Sequence, residues 1–234
     1  RPIFAYHTLP SDSIFAGGDI QILALQASWA VTDRLALIAT KDGYVQFNPD
    51  AGTNESGLAD VAAGLKYALV DNPDAGVIVT PGITYEFASG DEKVFQGNGD
   101  GLVRPFVSAG WDLGELNLLA NVGYDLPLDS DAESTRFTWH AHADWQVTPN
   151  FFPLVEINGL TYTGNGTALP VDFEGVDFFN LGAADVDGNT LVTGAIGARW
   201  RLANSAFGAA WATPLTARED LFGWRLTLDW VFWL

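Results

Sequence analysis

"FTWHAHADW", which runs from Phe137 to Trp145, alternates two different kinds of side chain. The odd-numbered positions are Phe137, Trp139, Ala141, Ala143 and Trp145. The even-numbered positions are Thr138, His140, His142 and Asp144. Successive side chains of a β-strand point to opposite faces, and a soluble β-protein turns its aromatic face inward and its charged face to water. The rest of the sequence indicates which of these two faces meets water.

The composition excludes several classes of protein. The chain has 234 residues, with 29 acidic and 11 basic side chains and a net charge of −18. Such a charge argues against nucleic acid as a partner, because phosphates require a basic surface. There is no cysteine, so disulfides and thiolate metal sites are excluded. No run of eighteen apolar residues occurs, which excludes a transmembrane helix.

The same alternation recurs along the chain, as in "LADVAAGLKYALV" and "GVIVTPGITYEF". Glycine and proline fall mostly between the alternating runs, a pattern typical of many short strands. No linker or change of composition divides the chain, so we predict one all-β domain, residues 1–234. The twelve predicted strands are 2–10, 19–32, 34–46, 58–70, 76–87, 102–113, 116–127, 137–147, 151–162, 190–202, 206–214 and 221–234.

The predicted connections fall into two alternating classes. One class is short, such as "TDR", "LGE" and "VTPN". The other is mostly long and acidic, such as "GYVQFNPDAGTNESG" and "TGNGTALPVDFEGVDFFNLGAADVDGN". Outer-membrane barrels have short periplasmic turns and longer extracellular loops. The pattern therefore predicts a transmembrane, antiparallel, up-and-down β-barrel of about 12 strands, with both termini in the periplasm of a Gram-negative envelope.

Aromatic residues support a membrane interpretation, because amphipathic rings collect where a bilayer meets water. We predict a girdle near the short turns, made of Trp29, Tyr67, Trp111, Trp145, Trp200 and Trp230. A second girdle near the long loops would contain Tyr85, Phe87, Tyr124, Trp139, Phe222 and Trp224. The alternative is a soluble lipocalin-like barrel in which these rings form the core. In the membrane interpretation, the aromatic face of "FTWHAHADW" contacts lipid and its histidines face the lumen.

The opposite face of the strands carries acids and bases in near balance. The predicted lumen residues are Asp60, Lys66, Glu86, Arg104, Asp125, His140, His142, Asp144, Glu156, Arg199, Arg201, Arg225 and Asp229. Across the turn "LGE", Arg104 falls opposite Asp125, and paired charges are what a low-dielectric interior permits. Two interpretations stay open: a charge-lined pore, or a lumen closed by salt bridges.

Three kinds of chemistry are weaker candidates. His140, His142 and Glu156 lie on neighbouring strands and could hold a divalent metal, although a hydrogen-bonded network is the simpler interpretation. In "ADVDGN", Asp185 and Asp187, with Asp177 nearby, have calcium-like spacing but lack the bidentate glutamate of an EF-hand. A hydrolase needs a nucleophile beside a base, and no histidine is placed near Ser28 or Ser108 by the sequence. We therefore expect that the protein is not an enzyme and has no cofactor, apart from Ca²⁺ in the extracellular loops, which is the one cofactor to test.

Three segments carry a family resemblance: "GLADVAAGLKYALV", "ASWAVTDRLALIAT" and "REDLFGWRLTLDWVFWL". They resemble the transporter-like outer-membrane barrels named for the phenol-degradation MetA pathway, over most of the chain. The last segment also resembles the C-terminal insertion signal of such barrels, with Leu234 in place of the usual Phe or Trp. The resemblance implies uptake of small, in part aromatic, molecules and supplies no functional residues.

From these observations we expect an outer-membrane channel or uptake protein for small polar or aromatic solutes. Its partners would be outer-membrane lipid, lipopolysaccharide and the solute, with no nucleic acid. The alternative is a structural barrel with a closed lumen, which serves as an envelope scaffold, binds a partner protein or forms a homo-oligomer.

Overall fold

The computed structural model describes residues 1–233 and contains a single antiparallel sheet of sixteen strands. Within this part of the chain the only helical segments are two short 3-10 turns, Pro73–Ala75 and Glu92–Val94, and no helix has the length and apolar character to span a membrane. The strands are β1 (Pro2–Thr8), β2 (Gly18–Leu25), β3 (Ala27–Ala30), β4 (Leu35–Lys41), β5 (Tyr44–Pro49), β6 (Glu55–Leu58), β7 (Val61–Tyr67), β8 (Val70–Asn72), β9 (Val77–Phe87), β10 (Leu102–Asp112), β11 (Leu116–Pro127), β12 (Thr135–Trp145), β13 (Phe151–Gly164), β14 (Thr190–Arg201), β15 (Ser205–Pro214) and β16 (Arg225–Phe232).

Neighbours in the sheet are mostly neighbours in the chain. From β9 to β16 each strand pairs with the next, and β16 pairs in turn with β1, where Ala5 lies opposite Thr227. The order then continues from β1 through β2 and β5 to β6, while its other end runs from β9 through β7 and β4 to β3. β8 pairs with β9 outside this order. All of these pairings are antiparallel.

The number of strands differs from the prediction of about twelve because two predicted strands are interrupted and a third is flanked by two short extra strands. Predicted strand 19–32 is divided into β2 and β3, and 34–46 into β4 and β5, whereas 58–70 corresponds to β7, with β6 before it and β8 at its end. A register shift at Lys41 and the left-handed φ of 131° at Gly43 interrupt the second of these strands. The side chain of Asp42 accepts a hydrogen bond from the backbone of Leu25 (2.6 Å), so it replaces a ladder bond at the break.

Two further expectations are corrected by the structure. The predicted loop "GYVQFNPDAGTNESG" is largely strand, because β5 and β6 extend the ladder and leave only residues 50–54 as the connection. The last strand begins at Arg225 rather than at residue 221. Phe222 therefore precedes the alternating segment, and its ring is buried in a hydrophobic cluster instead of belonging to an exposed girdle. The predicted role of Leu234 lies outside the described residues.

The aromatic side chains occupy the exposed face of the sheet. All six members of the predicted girdle near the short turns are exposed, and so are Phe87 and Trp224 of the second girdle. Tyr85, Tyr124 and Trp139 are half-buried. In Phe137–Trp145 the two end rings are exposed, while Arg136 and Thr138 on the opposite face are buried.

The buried core lies at the end of the sheet where the long connections meet. One cluster joins Ile20 of β2 and Phe47 of β5 to Val94, Phe179 and Leu221 of three different connections. A second joins Leu160 and Tyr162 of β13 to further residues of the 165–189 connection. The long connections are therefore packed against the charged face of the sheet at its end.

Gly159 tests the packing of the exposed face. It lies opposite Trp139 across β12 and β13, and a Cβ atom placed on it would be 2.1 Å from the Cε2 atom of that indole. We expect Gly159→Val to lower the free energy of unfolding by about 1–3 kcal/mol, because the ring has to move. Gly164→Ala on the same strand is the matched control, since its Cβ would make ordinary contacts at 3.4 Å. Thermal unfolding in detergent measures both, and equal stability of the two variants would contradict the packing.

Candidate functional site

A central cavity of about 560 Å³ lies against the charged face of the sheet. Twelve charged side chains line it, and the two signs are equally represented. The basic ones are Arg1, Lys41, Arg104, Arg136, Arg199 and Arg225. The acidic ones are Asp60, Glu86, Glu133, Glu156, Asp177 and Asp229. More than half of the 11 basic residues of the chain therefore surround this cavity, whereas most of the 29 acidic residues lie elsewhere.

Asp125 forms the most buried ion pairs of the site. Its side chain has no exposed surface and accepts hydrogen bonds from Arg104 on β10 and Arg136 on β12. The shortest distance to the Arg136 guanidinium is 2.8 Å. The sequence predicts the pair with Arg104, whereas Arg136 is not among the predicted lumen residues, although it shares the parity of His140 and His142. Two guanidinium groups thus share one carboxylate, so the three side chains together carry one net positive charge.

Lys41 and Asp60 form a second group with Glu86. The ammonium of Lys41 pairs with Glu86 and lies 3.7 Å from Asp60. Parity alone would have placed Lys41 on the exposed face, and the register shift between Ala39 and Lys41 turns it inward. The Asp60 carboxylate also accepts hydrogen bonds from the backbone N–H groups of Ser89, Gly90 and Gly97, at 2.8 to 2.9 Å. It therefore holds the 88–101 connection in place.

Asp229 joins the last strand to the start of the chain. Arg1 and Arg199 both contact its carboxylate, at 2.8 and 3.0 Å. The arrangement repeats that around Asp125, since two arginines again share one buried acid.

The histidine-rich segment forms hydrogen bonds. In His142, Nδ1 lies 2.8 Å from Glu156 and Nε2 lies 3.0 Å from Asp144, so both ring nitrogens are engaged. His140 bonds to Asn158 at 2.9 Å. Within residues 1–233 no group of three His, Asp or Glu side chains has the spacing of a metal site. The divalent metal at His140, His142 and Glu156 stays a prediction without a supporting geometry.

The remaining predicted lumen residues lie away from the central cavity. His142, Asp144 and Arg201 line a smaller cavity of about 90 Å³ near the short turns, together with Arg199. The guanidinium of Arg201 lies 4.7 Å from the centre of the Phe152 ring. Lys66 is half-buried and lines neither cavity.

The connection of residues 165–189 is folded against the cavity and held by buried polar groups. The Glu174 carboxylate accepts hydrogen bonds from the hydroxyl of Ser134 (2.7 Å) and from the backbone N–H groups of Leu181 (2.6 Å) and Ala183 (2.9 Å). Arg136 donates to the carbonyl of Val176. No periodic pattern in the sequence indicates this arrangement, because the partners are far apart in the chain.

Arg225 anchors the same connection from β16. It forms two hydrogen bonds with Asp177, at 2.8 and 2.5 Å, and its guanidinium lies 3.9 Å from the centre of the Phe178 ring. His7 contacts the edge of that ring from β1. Asp177 is therefore an ion-pair partner of Arg225. Asp185 and Asp187 themselves are exposed.

No protein-family model and no curated protein matches this sequence. Solved structures do match it. An outer membrane channel from Pseudomonas putida F1 is 15% identical, with 99% of this chain and 92% of that chain aligned and a TM-score of 0.66. The KdgM porin, solved in complex with disordered oligogalacturonate, is 11% identical over 99% of both chains, with a TM-score of 0.53. LpxR from Salmonella typhimurium is 10% identical over 100% of both chains, with a TM-score of 0.51. At these identities the similarity establishes the fold, that of outer-membrane β-barrels.

Asp125→Asn tests the paired charges. Without the carboxylate, the buried guanidinium of Arg136 would lose its charge partner and lie beside the partly exposed Arg104, so we expect the free energy of unfolding to fall by about 3–5 kcal/mol. Urea unfolding of the refolded protein in detergent measures the change. Asp33→Asn, at an exposed position in the turn between β3 and β4, is the control and should be nearly neutral. A variant at Asp125 as stable as this control would show that the buried pairs contribute little.

Proposed function

We propose that this chain is an outer-membrane β-barrel that lets small solutes pass through a charge-lined lumen. The observation that carries the proposal is the central cavity, which is lined by charges of both signs on a sheet whose last strand pairs with its first. Opposed charges at the wall of a narrow passage select solutes by size and polarity. The fold similarity to an outer membrane channel and to a porin is consistent with this role.

The pairing supports a closed barrel of twelve strands. β2 and β3 are separated only by Gln26, β4 and β5 by residues 42–43, and β6 and β7 by residues 59–60. If each of these pairs is one interrupted strand, every strand has two hydrogen-bonded neighbours, and the order returns from β16 to β1. Closure leaves no edge strand, which is what a lipid environment requires.

The exposed aromatic residues support a membrane position for this barrel. Tryptophan and tyrosine side chains near the short turns would lie at the periplasmic interface, and the long acidic connections would face the outside. Both termini then lie in the periplasm. Acidic loops next to the phosphates of lipopolysaccharide favour bridging divalent cations, and Ca²⁺ at Asp185 and Asp187 is the corresponding prediction.

The lining of the cavity suggests the class of solute. The lining contains aromatic rings as well as charged groups, since Phe95, Phe178, Phe179 and Phe222 belong to it. Such a wall suits small molecules that combine a polar group with an apolar or aromatic body. The resemblance to the MetA-pathway barrels agrees with this class.

A second candidate is a structural barrel whose lumen is closed. It is favoured by the hydrophobic cluster that the long connections form at one end of the cavity, where Phe47, Phe95 and Phe179 pack together. A closed barrel would serve as an envelope scaffold or bind another envelope protein or a second copy of the chain.

A hydrolase is not favoured by the geometry. The hydroxyl of Ser108 accepts a hydrogen bond from the Asn121 side chain (2.8 Å). The rings of His7, His140 and His142 bond to Leu221, Asn158 and the acids beside His142. No nucleophile is therefore activated by a histidine in the described part of the chain.

Planar-bilayer recording separates the channel from the closed barrel. We expect discrete openings, and we expect Arg199→Glu to shift the reversal potential in a KCl gradient toward cation selectivity, because the lumen wall loses one positive charge and gains a negative one. Arg34→Glu makes the same change in an exposed short turn outside both cavities and should have a much smaller effect. A wild-type barrel that stays silent, and remains so after Arg104→Ala and Glu156→Ala, would exclude the channel.

A further inference from the structure

Glu133 is a buried carboxyl group whose position the proposed channel does not explain. It lies in the connection between β11 and β12, lines the central cavity and is 7% exposed. Its Oε2 atom is buried and has no hydrogen-bond partner among the described residues. A buried carboxylate without a partner costs free energy, whereas the neutral carboxylic acid is tolerated much better.

The residues on either side of Glu133 hold the 165–189 connection. Ser134 donates its backbone N–H to the side chain of Asn180 (2.8 Å) and accepts a bond from that side chain at its carbonyl (2.7 Å). Its hydroxyl donates to Glu174. On the other side, the carbonyl of Asp131 accepts a bond from the N–H of Thr167 (2.8 Å). We call residues 131–134 the seat of the connection.

The charged groups around Glu133 come from every neighbouring element. Burial raises the pKa of Glu133 to about 7, Arg136 on β12 and Lys41 on β4 lower it, and Glu86 on β9 and Asp60 before β7 raise it. Asp129 in the same connection and Glu174, bonded to Ser134, are the other acids close to the seat. The effects of the basic and acidic neighbours on the pKa of Glu133 therefore oppose each other, and burial determines that this pKa is raised.

We propose that Glu133 is a proton-controlled latch, whose ionisation displaces the seat and loosens the 165–189 connection at the mouth of the cavity. If Glu133 ionises in place, the enclosed Oε2 atom carries negative charge without a hydrogen-bond partner, and displacement of the seat gives both oxygens access to water. Movement of the seat breaks its bonds to Asn180, Glu174 and Thr167. The neutral acid thus stabilises the closed arrangement and the carboxylate destabilises it.

The sign of the pH dependence follows from this arrangement. Glu133 has a pKa of about 7 in the closed state, and its ordinary value of 4.5 applies when it is solvated. The closed state therefore has its full stability relative to the open state below pH 4.5, and this stability decreases as the pH rises toward 7. The ratio of closed to open molecules should fall by up to about tenfold for each pH unit in this interval and level off above it.

A nitroxide label on Ala184→Cys reports the connection directly, because Ala184 is exposed and the chain has no other cysteine. In the wild-type background we expect label mobility to rise between pH 5 and pH 7.5. With Glu133→Gln, or with Glu133→Met if the amide variant folds poorly, mobility should stay at its low-pH level throughout. Glu92→Gln removes an exposed loop acid and should retain the wild-type response.

The latch does not depend on the proposed channel, except for one consequence. If the barrel is a channel, its open probability should rise over the same pH interval. Label mobility that does not depend on pH, or that changes equally in the Glu133 variants, would overturn the latch. A pH-dependent ion selectivity with an unchanged label would also overturn it, because the carboxylate would then have turned into the cavity without moving the seat. If the barrel shows no openings in bilayers but the label is mobile above pH 7, the latch is supported and the channel is excluded.

Discussion

The pairing of charged side chains on one face of the sheet is the constraint on which the rest of this structure depends. One face of the sheet carries arginine, lysine, aspartate and glutamate at positions that exclude much of the water, and an isolated charge there would be very unfavourable. Asp125 and Asp229 each meet two arginines, and Lys41 meets two acids. The antiparallel register places Arg136 directly beside Asp125, whereas Lys41 and Arg199 reach their partners across a small residue of the strand between them, Ala62 and Gly208 respectively. A change of register by one residue would turn the charges toward the aromatic face.

The same ion pairs connect the wall to the connection at its end. Arg136 binds Asp125 on the neighbouring strand and the carbonyl of Val176, and Arg225 on β16 binds Asp177. Wall and connection thus share side chains, and the position of the 165–189 connection depends on charged groups of the wall. A purely apolar wall would offer no comparable coupling.

The distribution of charge has a physical consequence for solutes. Basic residues are concentrated at the central cavity, while most of the surplus of acids lies in the connections and turns. In the proposed channel, a solute would first meet a negative exterior and then a cavity in which both signs are balanced. Entry and passage would then be governed by different fields, since screening by salt affects the exposed loops more than the paired interior.

The alternation in the sequence predicts most of the strands and the face on which most of their side chains lie. The bounds of β11 are those predicted, and Arg104 meets Asp125 as parity requires, because a strand has a period of two and a short turn determines its partner. Three other features follow from the tertiary structure and not from the alternation of residues. A register shift turns Lys41 inward, Phe222 is buried just before its strand begins, and Glu174 finds Ser134 forty residues away. The last two features depend on the way in which the long connections fold back onto the sheet. No local pattern of residues encodes a hydrogen bond whose two partners meet only after the sheet has formed.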